Sequence, residues 1–69
     1  MERIVVNSSN LVSVGYDEDS STLEVEFKGG AVYRYLNVPS FEYERLMAAN
    51  SHGAYFNANI KNGYSFERA

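Results

Sequence analysis

The chain has 69 residues, of which 45% are hydrophobic and 22% are charged, with nine acidic against six basic side chains and a formal net charge of −3. A chain of this length forms one domain and buries only about 60% of its unfolded surface, so we expect a thin core without a buried substrate chamber. The absence of cysteine excludes disulfides, thiolate nucleophiles and thiolate metal sites. No apolar run is long enough to span a membrane and no targeting segment is recognisable, so we expect a cytoplasmic protein that does not bind membranes.

Three segments in the first part of the chain have the pattern of β-strands. Apolar and polar residues alternate strictly over residues 22–28, as in a half-buried strand. Val12, Val14 and Tyr16 have the same spacing, and the segment 31–38 is rich in β-branched and aromatic residues. Short turns separate the three segments, so we predict an antiparallel meander.

The two turns set the predicted register of this meander. A three-residue loop 28–30, with Gly30 in the left-handed position of a type I turn with a G1 bulge, places Glu24 opposite Arg34. A two-residue loop would bury Arg34 on the apolar face at a cost of several kcal/mol, so we expect the longer loop. The acidic turn at 17–21 sets the pairing of the two strands that it joins. It places Tyr16 opposite Leu23, Val14 opposite Val25 and Val12 opposite Phe27. The predicted apolar face collects Val12, Val14, Tyr16, Leu23, Val25, Phe27, Tyr33 and Tyr35.

The residues after Pro39 have helical spacing. Proline suits the first turn of a helix, where its missing N–H is not needed. A first helix extends to about Asn50, with an apolar stripe that includes Tyr43, Leu46 and Met47. Ser51 is a suitable N-cap for a second helix that extends to about Lys61. We therefore predict an α+β fold, in which a three-stranded antiparallel meander is followed by two helices packed on one sheet face (β-β-β-α-α). Residues 64–69 form a tail that either docks or frays.

Motifs along most of the chain resemble those of a known family. They are Val14-Gly15-Tyr16-Asp17, Leu23 to Phe27, Gly30, Tyr33-Arg34-Tyr35, Val38-Pro39, Ala49, Ser51, Gly53, Tyr55-Phe56-Asn57 and Ile60. From about residue 7 to residue 64 the chain is similar to the KTSC domain, which is marked by a central Tyr-x-Tyr. The domain occurs at the C-terminus of some lysyl-tRNA synthetases and as a stand-alone bacterial protein. The resemblance implies no activity and suggests RNA binding through the synthetase fusion, which is an association only.

Candidate catalytic and metal-binding side chains are few. His52 is the only histidine and no nucleophile elbow accompanies it, so we interpret it as a surface or helix-start residue. The acidic segment 17–19 lacks the glycine and the glutamate that a calcium loop requires, and we interpret it as a solvated turn. Glu24 and Glu26 share the open face of one strand, where we expect solubilising charges. We therefore expect no enzyme, no metal and no cofactor.

The Tyr33-Arg34-Tyr35 triplet is the feature best suited to binding. If both tyrosines were exposed, they would form a stacking platform for bases, with Arg34 available for phosphate. The predicted register instead places the tyrosines beneath the helices and Arg34 on the open face. The candidate RNA-contacting residues are Arg34, Lys61, His52, Asn57, Tyr33 and Tyr35.

The expected function is that of a small non-catalytic binding module. The family resemblance implies RNA, either tRNA or a single strand, as the ligand. The acidic charge balance argues against tight autonomous binding, because domains that bind nucleic acid are usually basic. The alternative is a protein-interaction or self-association module that uses the open sheet face or an exposed edge strand.

Overall fold

A computed structural model describes all residues from 1 to 69 and contains five strands and two helices. The strands are β1 (Arg3–Val5), β2 (Leu11–Asp17), β3 (Thr22–Phe27), β4 (Val32–Tyr35) and β5 (Phe66–Arg68). The helices are α1 (Ser40–Ala48) and α2 (His52–Asn59). The strands form one antiparallel sheet in the order β1-β2-β3-β4-β5, so the α+β class is confirmed.

The sheet has five strands, whereas the sequence predicts three. The predicted strands correspond to β2, β3 and β4, and the two additional strands form the edges of the sheet. Each additional strand has three residues, which are too few for alternation to distinguish a strand from a loop. Backbone hydrogen bonds of 2.8 Å from Leu36 to Ser65 and from Ala69 to Val32 dock the tail beside β4.

The register of β3 against β4 agrees with the prediction. Glu24 lies opposite Arg34, and the loop between the strands has the three residues 28–30. The predicted type I turn is wrong, because Gly29 has a φ of +101° in addition to the +98° of Gly30. A positive φ at the third position of a turn is the conformation of type II.

A β-bulge in β2 changes one predicted pair. Leu11, and not Val12, lies opposite Phe27, and the register shifts between Leu11 and Ser13. The bulge buries Leu11 completely and leaves Val12 half-buried. An extra residue of this kind cannot be located from alternation alone, because it interrupts the period at one position only.

The core lies between the sheet and the two helices. Ser51 caps α2 as predicted, since its hydroxyl accepts a hydrogen bond from the backbone N–H of Ala54 at 3.2 Å. Pro39 is the N-cap of α1, and both helices end about two residues before the predicted positions, a usual uncertainty for helix ends. The buried apolar residues are Leu11, Val14, Leu23, Val25, Tyr35, Val38, Leu46, Phe56 and Ile60.

Gly15 allows β1 to pack closely on β2. Arg3 lies opposite Gly15, and a Cβ atom at Gly15 would lie 2.7 Å from the carbonyl oxygen of Glu2 and 2.9 Å from Cγ of Arg3. Contacts this short with backbone require β1 to move. The missing side chain therefore gives Arg3 room to extend across β2 toward β3.

We expect Gly15→Ala to detach β1 from the sheet while the central hairpin stays folded. The backbone N–H of Val6 donates to Val12 at 3.0 Å, so its amide hydrogen exchange should accelerate when β1 moves. The amide of Phe27, which donates to Ala31 at 2.8 Å, is the internal control and should remain protected. Unchanged protection at Val6 would contradict the close packing described here.

Candidate binding site

A pocket of about 420 Å³ opens between the sheet, near its β5 edge, and α2. This volume lies at the small end of the range of about 300–1,000 Å³ that is typical of ligand pockets. The lining residues are Asn10, Phe27, Ala31, Tyr33, Tyr35, Phe56, Asn57, Lys61, Asn62 and Phe66. Aromatic rings dominate the wall, and its polar groups are three asparagine amides, two tyrosine hydroxyls and one ammonium group.

Five aromatic rings form a continuous wall. Tyr35 and Phe56 are 3% and 1% exposed and meet edge to face, with their centroids 5.3 Å apart. Phe27 contacts both Phe56 and Tyr33 edge to face. Phe66 of β5 stacks on Tyr33 at 5.5 Å and is 53% exposed. The wall is therefore held by the core on one side and offers aromatic surface to solvent on the other.

Besides the two tyrosine hydroxyls of β4, the polar groups of the pocket come from loops and from α2. Asn57, Lys61 and Asn62 are exposed, and Lys61 is the only basic residue of the lining. The hydroxyl of Ser8 donates to Oδ1 of Asn10 at 3.0 Å, so the amide nitrogen of Asn10 remains available as a donor. The pocket thus combines a planar apolar surface with hydrogen-bonding groups, and a planar ligand with a polar edge would match both.

The structure brings together four of the six predicted site residues, namely Tyr33, Tyr35, Asn57 and Lys61. Arg34 and His52 are not part of the pocket. Arg34 lies on the opposite sheet face, where its Nε atom is 3.1 Å from Oε1 of Glu24. His52 begins α2, and its Nδ1 donates to the carbonyl of Leu46 at 2.9 Å, as suits a helix-start residue.

Six of the ten lining residues are not among the predicted site residues. Phe27, Ala31 and Phe56 belong to the predicted strands and the second predicted helix. The other three are Asn10, Asn62 and Phe66. They lie in the loop before β2, after α2 and in β5, and no local pattern connects these segments. The only signal was the aromatic spacing of Tyr64 and Phe66 in the tail. That spacing did not predict a strand, because two residues do not define a period.

The opposite sheet face carries a compact ion-pair network centred on Glu24. This residue is 6% exposed and lies 2.6 Å from Nη1 of Arg3 and 3.1 Å from Nε of Arg34. Burial opposes its ionisation, but the hydrogen bonds and charges of the two arginines outweigh burial and lower the pKa of Glu24. The expectation that Glu24 is a solvated surface charge is wrong, because Arg3 of the unpredicted strand β1 covers it.

A second buried carboxylate, Glu42 of α1, joins the helices to the tail. It accepts hydrogen bonds from the hydroxyls of Tyr55 and Tyr64, the latter at 2.8 Å. Burial, with the hydrogen bond to Glu42, raises the pKa of Tyr64 to about 12. The hydrogen bond to Glu42 is the main cause that raises the pKa of Tyr55. The three groups satisfy one another, so this cluster holds the fold together and offers no free group to a ligand.

Neither a metal centre nor a membrane span is evident. No group of three or more histidine, aspartate or glutamate side chains is placed to hold a metal ion. The helices are too short and too polar to cross a bilayer.

Comparison with known proteins identifies the family. The family model of the KTSC domain matches residues 7–64. An uncharacterised protein of Stutzerimonas stutzeri is 46% identical over 61 residues, which cover 88% of this chain and 86% of that protein. A lysine–tRNA ligase of Nostoc punctiforme is 42% identical over 53 residues, which cover 77% of this chain but 9% of the ligase. The crystal structure of a KTSC domain protein from Yersinia pestis has a TM-score of 0.93 at 36% identity, over 99% of this chain and 96% of that chain. The chain belongs to the KTSC domain family.

Proposed function

We propose that the protein is a non-catalytic module that binds single-stranded RNA, with an unpaired base against the aromatic wall of the pocket. The observation that carries the proposal is the combination of five aromatic rings with Lys61 in one pocket. Stacking of a base on an aromatic side chain contributes about 1–3 kcal/mol, and a neighbouring lysine can contact phosphate. Phe66 supplies the most exposed ring for such stacking.

The composition of the pocket supports binding without catalysis. Its lining contains no carboxylate, histidine, serine or threonine, which are the side chains that most often act as a general base or a hydroxyl nucleophile. A pocket of this composition is suited to holding a ligand rather than to converting it.

The charge distribution limits the expected affinity. The chain has a net charge of −3, and Arg3 and Arg34 are engaged with carboxylates on the face opposite the pocket. Stacking should therefore contribute more than phosphate contacts, and binding should be modest and only weakly dependent on salt. Modest affinity is sufficient when a module is part of a larger RNA-binding protein, because linkage raises its effective concentration. A related segment within the lysine–tRNA ligase of Nostoc punctiforme fits that arrangement.

We expect Lys61→Gln to weaken the binding of a labelled single-stranded RNA by about threefold to tenfold at low salt. The logarithmic salt dependence of binding should also fall by about 0.7, the value for one phosphate contact on a single strand. Fluorescence anisotropy at several salt concentrations measures both effects.

The matched control is Lys28→Gln. Lys28 is exposed in the β3–β4 loop and does not line the pocket, so the same change of charge there should leave the affinity nearly unchanged. Equal losses in the two variants would mean that the lysines act only through net charge. Absence of RNA binding at low salt in the unmodified protein would refute the proposed function.

A second candidate function is association by strand addition at β1. Val5 is 79% exposed and Ile4 is 54% exposed, so the edge of the sheet carries apolar surface. The edge is only three residues long, which limits the backbone hydrogen bonds that an added strand can make. Concentration-dependent sedimentation together with no RNA binding would favour this candidate.

A further inference from the structure

Arg68 of β5 lies on the face of the sheet that carries the pocket. It is opposite Tyr33 of β4, and directly opposed residues of an antiparallel pair present their side chains on one face. Tyr33 lines the pocket, and so does Phe66, which precedes Arg68 by two residues and shares its face. Glu67 points to the other face, where its Oε2 is 4.0 Å from Nη1 of Arg34. The register therefore places Arg68 next to Tyr33, at the outer edge of the aromatic wall.

Arg68 is also a cation without a partner in the protein. It is exposed, and the four ion pairs of the structure all involve Arg3 or Arg34. Arg45, in turn, lies over the ring of Phe41 on α1. The lining of the pocket contains no carboxylate that could neutralise Arg68. Its guanidinium is therefore available to an anion that a ligand brings to the pocket.

Lys61 and Arg68 approach the pocket from different elements. Lys61 follows α2, whereas Arg68 lies in β5 at the edge of the sheet, beside the rings of Tyr33 and Phe66. Proteins that bind single strands combine aromatic rings, on which bases stack, with cations that follow the backbone. Arginine suits the second position because its planar group donates two parallel hydrogen bonds to a phosphate.

We propose that Arg68 is a second phosphate-binding residue, so that the RNA strand crosses the aromatic wall with one phosphate at Lys61 and another at Arg68. The site then holds a segment of backbone as well as a base, and its ligand carries at least two phosphates. This inference rests on the proposed function, since it extends the same site along the strand.

The test measures the binding of a labelled uridine octamer by fluorescence anisotropy at several salt concentrations. For the unmodified protein, the logarithm of the affinity should fall with the logarithm of the salt concentration with a slope of about 1.4, the value for two phosphate contacts. Arg68→Gln should bind about threefold to tenfold more weakly at low salt, with a slope of about 0.7. The double variant of Arg68→Gln and Lys61→Gln should have a slope near zero. Arg68→Lys should keep the slope of the unmodified protein, because it keeps the charge.

Arg45→Gln is the matched control. It removes the same charge from an exposed arginine, but no residue of α1 lines the pocket, so the affinity and the slope should change little. Equal effects of Arg68→Gln and Arg45→Gln, or a slope that Arg68→Lys fails to keep, would overturn the inference. A loss of affinity in Lys61→Gln would in that case leave the proposed function standing. No binding of the octamer at low salt by the unmodified protein would overturn both.

Discussion

Replacing Phe56 with alanine is expected to lower the free energy of unfolding by about 3–5 kcal/mol. Phe56 is 1% exposed, and its ring lies edge to face against Phe27 at 5.4 Å and Tyr35 at 5.3 Å. The truncation removes these contacts and leaves a cavity beside the pocket wall. The loss is a large share of the total of about 5–15 kcal/mol that single domains usually have. Urea denaturation followed by circular dichroism measures it.

Phe41→Ala is the matched control for this prediction. Phe41 has the same side chain but is 49% exposed, and its ring makes a cation–π contact with Arg45 at 4.9 Å. Its truncation should cost less than about 1 kcal/mol, which is the usual value of an exposed contact of this type. Similar losses in the two variants would show that the core is not organised around Phe56.

Glu24→Gln is expected to have the second-largest effect, a loss of about 1.5–3 kcal/mol near neutral pH, since hydrogen bonds to charged groups contribute on this scale. The carboxylate is nearly buried and accepts from Arg3 and Arg34, which belong to β1 and β4. A neutral amide can accept one hydrogen bond from an arginine but cannot balance two positive charges. The variant should therefore weaken the attachment of β1 as well as the stability of the sheet.

The contribution of Glu24 to the free energy of unfolding should also depend on pH. The pKa of Glu24 is lowered from 4.5 in the folded protein, so the unfolded chain binds the proton more readily. Its stabilising contribution is complete above about pH 4.5, the ordinary pKa. The contribution is lost as the pH falls through the lowered folded value. The free energies of unfolding of the unmodified protein and Glu24→Gln should therefore converge on acidification.

Glu18→Gln serves as the control, because Glu18 is exposed in the turn between β2 and β3. It should unfold with nearly the same free energy as the unmodified protein at neutral pH. A difference between Glu24→Gln and the unmodified protein that stayed constant from neutral to acidic pH would contradict the role assigned to the ionised carboxylate.

Local pattern was enough to predict the parts of the fold that are made from consecutive residues. The alternation in residues 22–27 predicted β3, the avoidance of a buried Arg34 predicted the β3–β4 register, and Ser51 predicted the start of α2. Each of these features depends on backbone geometry and solvation within a few residues of the pattern. The KTSC motifs are likewise visible in the sequence alone, and the match of the KTSC family model to residues 7–64 confirmed the resemblance.

Tertiary structure alone decided how distant segments meet. The two edge strands are each too short to have a pattern of their own and form because the sheet provides hydrogen-bonding partners for them. β1 brings Arg3 to Glu24 and turns an expected surface charge into a buried ion pair. β5 brings Phe66 to Tyr33 and completes a pocket whose lining extends from residue 10 to residue 66. Such contacts depend on closing long loops around a common core, and the free energy of that closure is not encoded in any single segment.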